Sequence, residues 1–216
     1  MPAQIDHLVI AATDLAWLRR WWDERTGVHA VDGGAHDGRG TRNALVGLAG
    51  GVGATTYLEL IGPDPEQPTP PEPRSFGIDD LPPEVPTFVT FAVSVDDLES
   101  AVATVASVGL TPGPIVAMSR LRPDGVRLSW RLAVPDLAEH GGAQPFLIEW
   151  GDTPHPSQSL PGGAELLELS VESPASEPLA AMFDALGLTI GVTPADRPML
   201  NASIQTPNGV LDIGAA

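Results

Sequence analysis

The sequence predicts an α+β fold made of repeated βαβββ units, with helices packed outside a curved mixed sheet. Three observations predict it. A strand followed by a capped amphipathic helix occurs near residue 4 and again near residue 87, and Asp14-Leu15 overlays Asp97-Leu98 without a gap. The closing strands also match, Tyr57-Leu-Glu-Leu-Ile-Gly62 with Phe146-Leu-Ile-Glu-Trp-Gly151. Two Pro-rich stretches separate the units, because Pro neither feeds a sheet ladder nor continues a helix.

The expected division is a first βαβββ module over 1–62, a Pro-rich linker over 63–86 and a second module over 87–151. A linker over 152–163 and a third, shorter βαβββ-like module over 164–216 follow. In the first module, QIDHLVI reads as a strand. Leu15, Leu18 and Trp22 then recur at helical spacing, with Thr13 or Asp14 as cap and Gly27 as stop. His29–Asp32 is a candidate strand, GGAHDGRG a loop, and RNALVGL with TTYLELIG a hairpin around AGGVGA.

The second module opens on TFVTFAVSV. Its helix follows, with Asp96 and Glu99 spaced as a capping box, and then GPIVAMSRL, VRLSWRLAV and QPFLIEWG. The third copy has a helix with Leu179, Met182, Phe183 and Leu186 on one face. It reads either as a further module or as a cover on the sheet.

Composition narrows the function. With 28 acidic against 11 basic residues the net charge is −17, which repels phosphate backbones and anionic lipid, so neither nucleic acid nor membrane is an expected partner. The absence of cysteine excludes disulfides, zinc-thiolate sites and a thiol nucleophile. No secretory leader or membrane-spanning run is visible, which makes the cytoplasm the expectation. The Gly-rich stretches lack the Gly-Lys-Ser/Thr ending of a phosphate loop, and no Gly-x-Ser-x-Gly elbow is present.

The order of elements, the Asp6-His-Leu-Val-Ile10 opening strand and the Tyr57-Leu-Glu-Leu-Ile61 closing strand resemble the vicinal oxygen chelate superfamily of glyoxalases, bleomycin-resistance proteins and extradiol dioxygenases. Gly40-Thr-Arg-Asn-Ala-Leu45, Met118-Ser-Arg120, Arg122-Pro-Asp-Gly125 and Phe146-Leu-Ile-Glu-Trp-Gly-Asp-Thr-Pro-His-Pro156 are similar to its glyoxalase-like domain branch. The resemblance implies two units pairing into a cupped, partly open mixed β-barrel around a small-molecule cavity. It also implies a divalent metal (Zn, Mn, Fe or Ni), when present, held by the first and last strands of the paired units.

Those positions are His7, Glu59, Thr90 and Glu149, although a strict overlay of the closing strands sets Ile148, not Glu149, opposite Glu59. Thr90 is a poor ligand where an imidazole is usual. The metal set is therefore His7, Glu59 and Glu149, with Glu59 and Glu149 as catalytic carboxylates. Against this, Glu59 could face solvent and His7 could be an ordinary strand histidine.

Arg120 and Arg122 are candidate clamps for an anionic group, with surface ion pairing as the plain alternative. Asn43 could orient a carbonyl, and Trp130 and Trp150 are core or ligand platform. His36 and His155 carry low weight as loop histidines, and His29 and His140 have no distinguishing context.

Two functional readings stand side by side. One is a metal-dependent lyase or isomerase acting on a small oxygenated compound. The other is a metal-free protein that sequesters a small molecule, as bleomycin-resistance proteins do. An extradiol dioxygenase would need two histidines and one carboxylate, and the sequence offers no second histidine at a matching position. The odd number of units leaves one unpaired, which predicts a homodimer.

Overall fold

The computed structural model describes residues 3–48, 56–122 and 124–214; the expected AGGVGA turn lies outside them. The first unit is β1 (Gln4–Ala11), α1 (Leu15–Thr26), β2 (Val31–His36), β3 (Thr41–Leu48) and β4 (Thr56–Pro63). The second is β5 (Thr87–Ser94), α2 (Leu98–Ser107), β6 (Ile115–Leu121), β7 (Arg127–Ala133), a one-turn α3 (Leu137–His140) and β8 (Phe146–Glu149).

These eight strands close into a barrel in the order β1-β4-β3-β2-β6-β7-β8-β5. Each unit contributes the same local order, its first strand parallel to its last. The two seams differ in length. β1 and β5 run antiparallel through seven paired positions, whereas β2 and β6 pair only at Ala35–Leu121 and His36–Arg120.

Alternation along the strands sorts side chains between two cores. Leu8 and Ile10 of β1, and Leu58 and Leu60 of β4, face outward onto the helices. Val9, Ala11 and Ile61 face the barrel interior, with Val89, Leu128, Trp130, Leu132, Phe146 and Ile148 of the second unit. α1 buries Leu15, Leu18 and Trp22 as its spacing predicts. The Asp14 side chain accepts from the Trp17 backbone N–H, and Gly27 ends the helix at φ 72°.

Two local expectations are corrected. The cap of α2 is Asp97, which accepts from Ser100 N, so the box does not form on Asp96; Glu99 instead pairs with Arg131. The second strand is not His29–Asp32 but runs to His36, through residues read as a loop. Its glycines permit close approach. A Cβ on Gly33 would lie 2.1 Å from Asn43 Oδ1 and 2.3 Å from an Arg120 nitrogen. One on Gly34, at φ 140° beside a bulge, would meet the Leu121 carbonyl oxygen at 2.3 Å.

The third unit is β9 (Glu165–Ser173), α4 (Ser176–Leu186), β10 (Gly191–Pro194), β11 (Met199–Thr206) and β12 (Gly209–Gly214). It keeps the βαβββ chain order, but its sheet order is β10-β9-β11-β12, unlike either barrel unit. Leu179, Met182 and Phe183 of α4, with Leu169, Val171, Leu200 and Ile204 of the sheet, join the outer core. Phe183 lies 6.2 Å from Phe91 of β5 between ring centroids. The apolar side chains of the third unit thus pack against the barrel units of the same chain. Among the described residues no helix is long and apolar enough to cross a membrane.

Residues 64–86 form a strap that doubles back over one end of the barrel. Arg74 Nε donates to the Gly40 carbonyl at 2.8 Å, and Gln67 Nε2 to the Thr41 carbonyl at 3.3 Å. Within the strap, Ser75–Asp80 makes a 3-10 segment, and its Ile78 is fully buried in the interior core.

Candidate functional site

The barrel encloses a cavity of about 440 Å³, within the usual range for small-molecule sites. One part of its lining is polar. β1 contributes His7, β2 His36, β3 Thr41 and Asn43, β4 Tyr57 and Glu59, and β6 Arg120. The rest of the wall is mostly apolar and comes mainly from the second unit, including Val116, Met118, Trp130, Leu132, Phe146, Ile148 and Trp150, with Arg39, Ser75 and Asp136 as further polar members. Phe76 of the strap and Val134–Leu137 beside α3 complete the wall.

Glu59 is 6% exposed, in a strand otherwise apolar, and alternation turns it inward. A buried carboxylate needs partners. Asn43 Nδ2 donates to its Oε1 in a short hydrogen bond. His7 Nε2 stands 3.7 Å from Oε2, and His36 Nε2 stands 3.8 Å from Oε1. Both distances are too long for hydrogen bonds.

The donors in this cluster are fixed in sequence. Arg120 donates to Asn43 Oδ1 at 2.9 Å, which sets the amide so that Nδ2 faces Glu59 and His36. His36 Nε2, 3.3 Å from Nδ2, is then an acceptor, and Nδ1–H donates to Thr41 Oγ1 at 2.9 Å. Burial accordingly lowers the His36 pKa below its ordinary value, with the Arg120 and His7 charges acting in the same sense and Glu59 opposing them. Burial also lowers the Arg120 pKa.

His7 is oriented from behind by Asp6. A bulge lies between Ile5 and His7, and Asp6 and His7 are both buried in a strand that is covered on its two faces. Asp6 Oδ1 lies 2.6 Å from His7 Nδ1. Its Oδ2 accepts from Trp150 Nε1 at 2.9 Å and from His155 Nε2 at 3.0 Å. Burial alone would raise the Asp6 pKa, but the hydrogen bonds and charges of His155 and His7 outweigh it and hold the carboxyl far below the usual range. An ionised Asp6 only accepts, so His7 carries its proton on Nδ1 and presents Nε2 to the cavity.

His7 also stacks on Tyr57, with ring centroids 4.5 Å apart and planes at 17°. Burial, with the charges of Asp6 and Glu59, raises the Tyr57 pKa well above its ordinary value and keeps the phenol neutral.

Several expected site residues fall elsewhere. Glu149 faces outward, against its assignment as ligand and base. It accepts from Arg131 Nε at 2.6 Å and from Leu98 N at 3.3 Å, while Ile148 takes the inward place that the strict overlay indicated. Arg122 pairs with Asp124 at 2.9 Å on the rim of a separate smaller cavity and does not line the main one. Asn43, Trp130 and Arg120 do line it.

Sequence reasoning gave His36 low weight because its strand looked like a loop, and it missed Asp6 because a bulge has no signature there. His155 was read as a plain surface residue. It packs against Tyr57 and Trp150 and binds Asp6. His29 pairs with Asp23 on the surface.

A divalent ion of the kind the resemblance implies needs three or four protein donors. His7 Nε2 and Glu59 Oε2 are two. Thr90 holds its hydroxyl 3.4 Å from the Gly142 carbonyl oxygen and does not line the cavity. Ala92 is the strand-register partner of His7, and Ile148 offers no donor. His36 Nε2 is engaged by Asn43. Two free donors fall short of the three or four that such an ion needs, so the described residues do not fit the group.

A sequence model of the glyoxalase-like domain family matches residues 5–187, both barrel units together with β9 and α4. The chain belongs to this family. Its fold is that of the vicinal oxygen chelate superfamily, as the sequence strings indicate. Among curated proteins none matches the sequence significantly.

A hypothetical protein from Staphylococcus aureus is similar in structure at 15% identity and TM-score 0.61, covering 98% of this chain and 85% of that one. A methylmalonyl-CoA epimerase from Mycobacterium tuberculosis aligns at 21% identity and TM-score 0.43, over 70% and 89% of the two chains. A triple mutant of 4-hydroxymandelate synthase from Streptomyces coelicolor aligns at 13% identity and TM-score 0.45, over 99% and 62%. At 15% identity the first of these likenesses bears on the fold alone.

Proposed function

We propose that this glyoxalase-like protein is a metal-independent isomerase or lyase that moves a proton on a small oxygenated substrate. The observation that carries the reading is Glu59. It is a carboxylate buried in the wall of a largely apolar cavity, with an imidazole nitrogen of fixed tautomer 3.7 Å away. The two groups are too far apart to bond each other. They are close enough for one substrate atom to sit within reach of both.

In this reading Glu59 takes a proton from the carbon beside a carbonyl and, as the acid so formed, returns it to the neighbouring carbon, while the unprotonated Nε2 of His7 takes the proton of the substrate hydroxyl and gives it back to the enolate oxygen. Arg120 holds the oxygen on which negative charge develops. It is 3% exposed and donates a single hydrogen bond among the described residues, so its other N–H groups are available to an anionic oxygen. Asp6 is a positioning residue that keeps His7 in the required tautomer.

The test is deuterium incorporation next to the carbonyl of 2-hydroxy and 2-oxo compounds in D₂O, followed by NMR before and after exhaustive chelation. Exchange that survives chelation and disappears in Glu59→Gln is the expected result. Exchange restored only by an added divalent ion would overturn metal independence. Tight binding without exchange would leave the sequestering role as the function of the cavity.

A further inference from the structure

We propose that Phe76 on the strap is the residue that selects the substrate, and that it selects a flat aromatic body carrying an anionic oxygen. The proposal rests on the reading of this cavity as the substrate site and names the class of substrate.

Five Phe, Tyr and Trp rings line the cavity, Tyr57 and two further pairs. Phe76 and Phe146 have centroids 5.9 Å apart at 31°, and Trp130 and Trp150 are 5.3 Å apart at 47°. Four of the five belong to barrel strands or their ends. Phe76 alone arrives from outside the barrel, on the strap. It does so with φ 63° and ψ 19°, a left-handed conformation that favours glycine, followed by Gly77 at φ 64°.

The strap is tied down on both sides of this residue. Arg74 bonds the Gly40 carbonyl and Asp79, and Ile78 plugs the interior core. Those anchors hold a bulky side chain where the backbone would prefer none, so its ring has a fixed place at the cavity wall. The same cavity presents Arg120, a buried guanidinium that donates one hydrogen bond among the described residues. A ligand that satisfies the rings and the guanidinium together has a planar apolar body and an oxygen anion. Planar faces stack on aromatic rings, and a saturated body of the same carbon skeleton does not.

The probes are 2-naphthoate and decahydro-2-naphthoate, equal in skeleton and charge and different in planarity, titrated calorimetrically into the full chain. The wild type is expected to bind the planar probe roughly tenfold more tightly. Phe76→Ala should bring that ratio to within about twofold, and Phe76→Trp should keep it. Phe76→Gly, which accepts the positive φ without strain, should behave as Phe76→Ala and guards against a folding defect.

Arg120→Gln should weaken both probes and leave the ratio intact. Binding of both probes with an unchanged ratio in Phe76→Ala and Phe76→Gly overturns the proposal and leaves the cavity reading standing. Binding of neither probe to the wild type overturns this proposal together with the anion-holding role of Arg120.

Discussion

The two barrel units share one topology and divide the cavity unequally. At matched places on the closing strands, Tyr57 faces Phe146, Glu59 faces Ile148, and Ile61 faces Trp150. On the opening strands the register partner of His7 is Ala92. The first unit thus supplies nearly every titratable group of the site. The second supplies the apolar wall and one guanidinium. Repetition fixes where a side chain points, and substitution at the repeated points decides which half does chemistry and which half grips the ligand.

The sharpest way to break this comparison is to exchange the carboxylates of the two halves for amides. Glu59→Gln is expected to lower deuterium exchange of a turned-over substrate by about 10²–10⁴-fold, the range for loss of a general base. Its calorimetric affinity for ligand should remain.

Next in size is Asp6→Asn. An amide in place of the ionised acceptor leaves buried N–H groups of His7, Trp150 and His155 competing for one oxygen, which costs about 1–3 kcal/mol in urea unfolding. It should also reduce turnover roughly tenfold or more by releasing the His7 tautomer. The Asp6 contribution to wild-type stability is fully present above its unfolded pKa of 3.8 and is lost as the pH falls below it, so the variant should show a flatter acid limb.

A smaller effect belongs to His36, whose lowered folded pKa means that the unfolded chain binds the extra proton first. Stability therefore falls as the pH drops below 6.5, and His36→Gln should remove that slope from thermal melts recorded between pH 7 and 5. The smallest belongs to Glu149→Gln. Turnover should stay within about twofold, and the thermal midpoint should move by about 2 °C or less, because the Arg131 partner is partly solvated.

The fold was largely legible because it rests on periodicity. Leu15, Leu18 and Trp22 read as one helix face, and Asp14 over Asp97 aligns both helix starts, although the capping-box spacing points to Asp96 where Asp97 is the cap. The inward turn of Glu59 follows from the same alternation, and so does the outward turn of Glu149 once Ile148 is set against it. What periodicity could not carry was any departure from it. The register shift at Asp6 sits beside two successive buried polar residues. Gly33 and Gly34 look like loop punctuation, yet they are the gap through which Asn43 and Arg120 reach each other, and they keep His36 in a strand. The strap was read as a linker because its anchors, Arg74 and Ile78, act on residues far away in sequence.

The unequal seams give the barrel a grain. Seven paired positions bind β1 to β5, while two pairs join β2 to β6 on the far side. Under load or thermal agitation such a cylinder yields along its weaker join, as a cuff opens at its clasp and stays whole at its back. The backbone amides of His36 and Arg120 lie on that clasp, so the residues that hold the buried carboxylate's network also mark the line along which the wall can part.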